Sequence, residues 1–176
     1  MSTVTLVTGG CRSGKSRFAL TQAMTYETRA FIATAVAFDD EMNARIGRHQ
    51  AERGSDFETF EAPYGLGEAI RSLPPGSDVA VVDCLTVWLS NLMYKHGETT
   101  ESYPEMETFF AAIENPPCDL YVVTNEVGTG IVPENALARR FRDEAGFLNQ
   151  AVAQRADRVV WMVAGCPVAV KGMLEQ

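Results

Sequence analysis

The sequence predicts an α/β protein, a mainly parallel β-sheet flanked by helices. Three observations predict it. Short apolar runs alternate with stretches of helical periodicity along the whole chain. The runs are apolar at successive positions, as strands covered on both faces are. And the first run opens onto a glycine-rich turn and a helix, TVTLVTGGCRSGKS at residues 3–16, the strand–loop–helix order that a phosphate-binding loop requires.

Bulk properties narrow the class. The 176 residues are most simply one domain, 1–176. A hydrophobic share of 46% with 22% charged residues is an ordinary globular composition. The formal net charge of −8 argues against nonspecific binding to nucleic acid or an anionic membrane surface. No apolar run approaches the ~20 residues of a membrane span. The N-terminus reads directly as strand and loop rather than as a secretion signal, so the expected location is cytoplasmic. The four cysteines, Cys11, Cys84, Cys118 and Cys166, show no metal-ligand spacing. Cys84, Cys118 and Cys166 sit in or beside apolar runs and are expected to be buried thiols.

The elements follow in order. Residues 3–8, rich in β-branched side chains, predict a buried strand. Gly9, Gly10, Cys11, Arg12, Ser13, Gly14, Lys15 and Ser16 fit G-x-x-x-x-G-K-[ST]. In such a loop the backbone N–H groups surround phosphate oxygens and the helix N-terminus adds partial positive charge. Lys15 is expected at the terminal phosphates, and the Ser16 hydroxyl on Mg²⁺. The helix from Arg17 has Phe18, Ala19, Leu20 and Met24 placed to share a buried face. RAFIATAVA (29–37) predicts a second strand whose small residues leave room for a ligand at its C-terminal edge. DDEMNARIGRHQAER (39–53) predicts a helix with Glu41, Arg45, His49 and Arg53 in one polar stripe. From periodicity alone that stripe reads as a solvated helix face laced with salt bridges.

FETFEA (57–62) alternates as a short strand, and 64–73 predicts a short helix stopped by Pro74-Pro75-Gly76. DVAVVD (78–83) is an apolar strand ending in a carboxylate, as a Walker B element does. Asp83 is therefore a candidate for Mg²⁺, directly or through water; capping the next helix is a reading that can hold at the same time. Residues 84–95 predict an apolar helix of the core or of a subunit interface, with His96 a plain helix-end residue. Residues 106–114 predict another helix. DLYVVTN (119–125) predicts a fourth buried strand with Asn125 and Glu126 at its ligand-binding edge. The longest helix is expected over 134–155. Its Arg139, Arg140 and Arg142 are placed to pair with Asp143 and Glu144 or to face a phosphate. Residues 157–164 predict a fifth strand and 165–171 a last extended piece. This is the architecture of P-loop NTPase-like proteins of the RecA-like kind.

Several of these segments together resemble one family, the bifunctional adenosylcobinamide kinase / adenosylcobinamide-phosphate guanylyltransferases of cobalamin nucleotide-loop assembly. They are LVTGGCRSGKSRFA (6–19), FIATA (31–35), DDEMNARIGRHQAER (39–53), FEAP (60–63), VVDCLTVWLSNLM (81–93) and the long run 122–165. TNEVGTGIVPE followed by RRFRDEAGFLNQ is the more specific part, since no generic phosphate-binding loop requires it. The resemblance implies two reactions: phosphorylation of the aminopropanol hydroxyl of adenosylcobinamide, then transfer of GMP from GTP to the resulting adenosylcobinamide phosphate. It implies a GMP–histidine intermediate in the segment R-I-x-x-H, here Arg45 to His49, which makes His49 the nucleophile. It implies a nucleotide site that adds Thr34, Ala35, Val36, Gln50, Ala51, Glu52, Arg53, Glu61 and Asp83 to the loop, and assembly as a homotrimer. The cofactor is Mg²⁺ and the co-substrate GTP, or ATP for the kinase step. One departure stands out: Arg53 is followed by Gly54 and then Phe57, where the family has Arg-Pro and a Trp. Two other readings of the same loop are a small-molecule kinase without guanylyl transfer and a nucleotide-dependent regulatory switch.

Overall fold

A computed structural model describes residues 2–36, 47, 56–97 and 103–173. Its strands are β1 (Val4–Gly9), β2 (Arg29–Ala33), β3 (Glu58–Glu61), β4 (Val79–Asp83), β5 (Asp119–Val123), β6 (Arg158–Val163) and β7 (Cys166–Lys171). They form one sheet in the order β3-β2-β4-β5-β1-β6-β7. Every pairing is parallel except β6 with β7. The helices are α1 (Lys15–Ala23), α2 (Leu66–Arg71), α3 (Leu85–His96), α4 (Pro104–Glu114) and α5 (Ala136–Arg155).

Alternation along the strands divides the core in two. Leu6, Ile32, Ala80, Val82, Leu120 and Val122 pack against residues of α2, α3, α4 and α5. Val7, Phe31, Val79, Val81, Val123, Val160 and Met162 face the other way, toward Ala19 and Ala23 of α1. Central strands therefore read as unbroken apolar runs because both faces are covered. In the first layer Trp88 of α3 meets Phe109 of α4 edge-on at 5.1 Å. α2 and α4 approach so closely that a Cβ at Gly67 would lie 2.5 Å from the Thr108 carbonyl carbon, so only glycine fits there.

Several expectations are corrected. β3 and β7 are edge strands and are largely exposed. Cys166 accordingly is exposed, although Cys84 and Cys118 are buried as predicted. Burial pushes the Cys118 thiol up to about 11. Met24 is 46% exposed because it caps α1 rather than continuing its buried face of Lys15, Ala19 and Ala23. β2 stops at Ala33, and residues 34–36 are not strand: the Thr34 N–H still meets the Asp83 carbonyl at 3.3 Å, but its own carbonyl is taken by Asn91 Nδ2. α4 begins at Pro104, which needs no N–H at the first helical position. α5 begins after Asn135, whose side chain accepts from the Ala138 N–H at 3.0 Å. The helix expected over 39–53 lies outside the described residues apart from Gly47, which is helical. No helix among the described residues is long and apolar enough to cross a membrane.

Candidate active site

The site is built where β1, β5, β4 and β2 end. β1 delivers Gly9 at φ +148°, and a Cβ there would fall 2.6 Å from the Met162 carbonyl oxygen and 2.8 Å from Ser13 Oγ. Arg12 at φ 54° and Gly14 at φ 95° take left-handed conformations. These turns aim successive N–H groups to one side and form an anion-binding concavity at the start of α1. Lys15 is buried, and its Nζ donates to the Gly10 carbonyl at 2.6 Å and lies 3.5 Å from Ser13 Oγ. Its ammonium group is thus held inside the curve of the loop. Gly9 to Ser16 thus form one turn between β1 and α1, with Cys11 exposed at the surface.

A brace for this loop was not legible in the sequence. β6 and β7 are joined by Ala164 (φ 50°) and Gly165 (φ 83°), two consecutive left-handed residues as in a type I′ hairpin turn. The Gly165 N–H donates to the Ser13 carbonyl at 3.0 Å. The hairpin turn thereby supports the phosphate loop from outside. The available signal was the dipeptide Ala164-Gly165 between two apolar runs, a weaker turn marker than Asn-Gly.

Across the sheet, Asp83 ends β4 and Glu61 ends β3. Neither carboxylate has a hydrogen-bond partner among the described residues. Thr34 is different. Its Oγ1 donates to the Cys84 carbonyl at 2.8 Å and accepts from the Cys84 N–H at 2.9 Å. Its own carbonyl accepts from Asn91 Nδ2 at 2.8 Å, and that same amide reaches the Pro63 carbonyl at 3.0 Å. The Thr34 hydroxyl is committed to clasping the chain after Asp83, so its side chain shapes the edge. Ala35 and Val36 follow it as partly exposed, non-strand residues. His49 and Gln50 to Arg53 lie outside the described residues.

At the end of β5, Asn125 and Glu126 lie at the edge expected of them, in a network whose other members, Thr86, Thr124 and Asn149, the sequence did not single out. The Thr124 and Glu126 N–H groups donate to the Val7 and Gly9 carbonyls, each at 3.0 Å, so this turn rides on β1 up to the loop. Thr86 of α3 accepts from the Asn125 N–H at 2.7 Å. Asn149 of α5 accepts from Thr124 Oγ1 at 2.7 Å and donates to the Asn125 carbonyl at 3.2 Å. Of the arginines expected to pair or to face a phosphate, Arg139 and Arg140 are engaged within the fold. Arg139 donates to the Pro133 and Glu134 carbonyls, and Arg140 reaches Tyr103 Oη at 3.3 Å and Glu144 at 3.9 Å. His96 is more than a helix end: its Nε2 lies 3.0 Å from each oxygen of Glu105.

A phosphate-binding loop at the head of a parallel sheet, with a carboxylate two strands away, defines a P-loop nucleotide-binding α/β protein of the RecA-like kind. Comparison with solved structures agrees on the fold. A Pyrococcus horikoshii OT3 protein aligns with a TM-score of 0.57 at 8% identity, over 98% of this chain and 88% of its own. An ATPase of a bacterial type III secretion system aligns at 0.51 and 8%, over 90% and 50%. The family model for cobinamide kinase / cobinamide phosphate guanyltransferase matches residues 5–170. The chain belongs to this family. It is 41% identical to the bifunctional adenosylcobalamin biosynthesis protein CobP of Pseudomonas aeruginosa, over 95% of this chain and 96% of that one. It is 39% identical to the CobU proteins of Escherichia coli and Salmonella typhimurium, over 94% of this chain and 98% of each.

Proposed function

We propose that this protein phosphorylates the aminopropanol hydroxyl of adenosylcobinamide with GTP or ATP and then converts adenosylcobinamide phosphate to adenosylcobinamide-GDP. The single observation that carries the reading is the family match across residues 5–170. The loop geometry supports it. In the first reaction the hydroxyl oxygen attacks the γ-phosphorus and the nucleoside diphosphate leaves. In the second, a ring nitrogen of His49 attacks the α-phosphorus of GTP and pyrophosphate leaves. A phosphate oxygen of adenosylcobinamide phosphate then attacks the same phosphorus and frees His49. Lys15 and the N–H groups of Gly9 to Ser16 hold the phosphates in both reactions.

Mg²⁺ is expected to be held by Ser16 and Asp83, partly through water. The donor set fits, because this ion takes one or two protein oxygens and fills its shell with waters and phosphates. Among the described residues Asp83 has no other partner, and no cluster of three His, Cys, Asp or Glu forms a dedicated metal cage. When bound, the ion supplies neutralising charge to the phosphates. Glu61 is assigned to the guanine base or its ribose, and Thr34 to Val36 and Gln50 to Arg53 to the rest of the nucleotide. We further assign one domain over 1–176, homotrimeric assembly and a cytoplasmic location. Exposed Ile131, Val132, Leu137 and Phe147 support assembly, as apolar surface that a neighbouring subunit would cover.

The test uses GTP labelled at the α-phosphate, with a γ-labelled control, in Mg²⁺ without acceptor. An adduct carrying only the α-label, lost in acid, stable in base and absent from His49→Ala, is the expected result. Phosphorylation of adenosylcobinamide with no adduct would reduce the protein to a kinase. Tight GTP binding with neither reaction would make it a nucleotide-dependent switch.

A further inference from the structure

The two reactions proposed above differ in what they ask of a base. The first acceptor is an alcohol, which must lose a proton as its oxygen bonds to phosphorus. The second acceptor is a phosphate, already ionised near neutral pH, with no such proton to lose. The first reaction therefore calls for a proton acceptor that the second does not use.

Three carboxylates close the ends of three strands at this edge: Glu61 of β3, Asp83 of β4 and Glu126 just past β5. Glu61 is on the outermost strand, separated from β1 by β2, β4 and β5. Asp83 is assigned to the metal, where its carboxylate would serve as a ligand or hold a metal-bound water. Glu126 comes from the strand that lies between the Asp83 strand and the loop strand. Its backbone N–H bonds the Gly9 carbonyl at 3.0 Å, so it begins at the first residue of the phosphate loop. Its side chain is half-buried, and the Gly128 N–H holds one carboxylate oxygen at 2.6 Å. The preceding residue is clamped by Thr86 and Asn149 from two different helices. A turn tied this heavily fixes where the carboxylate stands, which is what a positioned base needs.

We infer that Glu126 is the catalytic base of the phosphorylation step, taking the proton of the acceptor hydroxyl. This rests on the two-reaction reading given above. In the step, the O–H bond breaks and its proton passes to the Glu126 carboxylate. The oxygen bonds to the γ-phosphorus, and the bond to the nucleoside diphosphate breaks.

The test measures the two reactions separately, adenosylcobinamide phosphorylation and guanylylation of preformed adenosylcobinamide phosphate, for wild type, Glu126→Gln and Glu126→Asp. Glu126→Gln is expected to lower kcat for phosphorylation by about 10²–10⁴-fold. Guanylylation should stay within about threefold of wild type, since that acceptor has no proton to give up. Glu126→Asp, which keeps the carboxylate on a shorter stem, should recover part of the phosphorylation rate. Phosphorylation retained by Glu126→Gln would overturn the assignment. So would an equal loss of both reactions, which would make Glu126 a structural support of the loop. A wild-type protein that performs neither reaction would instead overturn the two-reaction reading.

Discussion

The two ends of the sheet use the same residue type to opposite ends. At the N-terminal edge, Asp78, Asp119 and Asp157 each stand at or just before a strand and bond the neighbouring strand's backbone. Asp78 accepts from Thr28 N–H at 2.8 Å, Asp119 from Thr3 N–H at 2.7 Å and Asp157 from Val4 N–H at 2.8 Å. Asp119 also accepts from Tyr26 Oη at 2.7 Å. Burial, with that bond second, pushes the tyrosine's pKa upward. These carboxylates are consumed by the fold. At the C-terminal edge Glu61 and Asp83 have no hydrogen-bond partner among the described residues, and Glu126 is held by one N–H of its own turn. Orphan N–H groups occur at both edges. At the strand starts three aspartates satisfy them across to a neighbouring strand or the residue before it, while at the C-terminal edge the phosphate loop's N–H groups are the ones a ligand would meet.

The comparison can be broken by substitutions that should separate activity from stability. The largest effect is expected from Lys15→Met, which keeps the stem's volume and removes the charge. Phosphorylation of adenosylcobinamide should fall by about 10²–10³-fold, while the melting temperature moves by no more than roughly 4 °C. Turnover near wild type would mean that the loop does not hold the reacting phosphates. Gly9→Ala should damage both properties, since the new Cβ meets Met162 O at 2.6 Å. A stability loss of about 1–3 kcal/mol in urea and weaker GTP binding are expected together. Asp119→Ala is the opposite case. It should cost about 1–3 kcal/mol of stability by stranding the Thr3 N–H and Tyr26 Oη. Its kcat should match wild type, and a catalytic loss at unchanged stability would show that the two edges are not separate.

Much of this was legible because it is local. The phosphate loop is a contiguous pattern, and Asp83 is the last residue of an apolar run. The central strands announce themselves because both their faces are buried. What escaped depends on partners distant in sequence. Nothing near Thr34 says that its hydroxyl clasps Cys84, fifty residues on. Nothing near Ser13 says that its carbonyl is met by Gly165. Cys166 looked buried because an apolar run does not reveal that its strand lies at an edge. The initial aspartates of DVAVVD, DLYVVTN and DRVVWMVA were visible in the sequence, but their role appears only once the strand order is known.

The smallest predicted effect concerns a carboxylate on the site side of the helices that the fold nonetheless consumes. Glu105, at the start of α4, lies 2.6 Å from Lys95 Nζ and 3.0 Å from His96 Nε2, both at the end of α3. Burial alone would raise its pKa. The hydrogen bonds from Lys95 and His96 outweigh that and hold the carboxyl at about 2, below its ordinary 4.5. The unfolded chain therefore binds this proton first as the pH falls. The staple's contribution to stability is complete above pH 4.5 and disappears as the pH drops toward about 2. Denaturant unfolding of wild type and Glu105→Gln should differ most near pH 6 and converge across that acid window. Because Lys95 is 46% exposed, its side of the pair is screened by solvent, and the difference should shrink in high salt. Stability curves that stay parallel down to pH 2 would show that Glu105 contributes by packing and not by charge. The helical layer would then be held as the N-terminal edge is not, without help from its carboxylate.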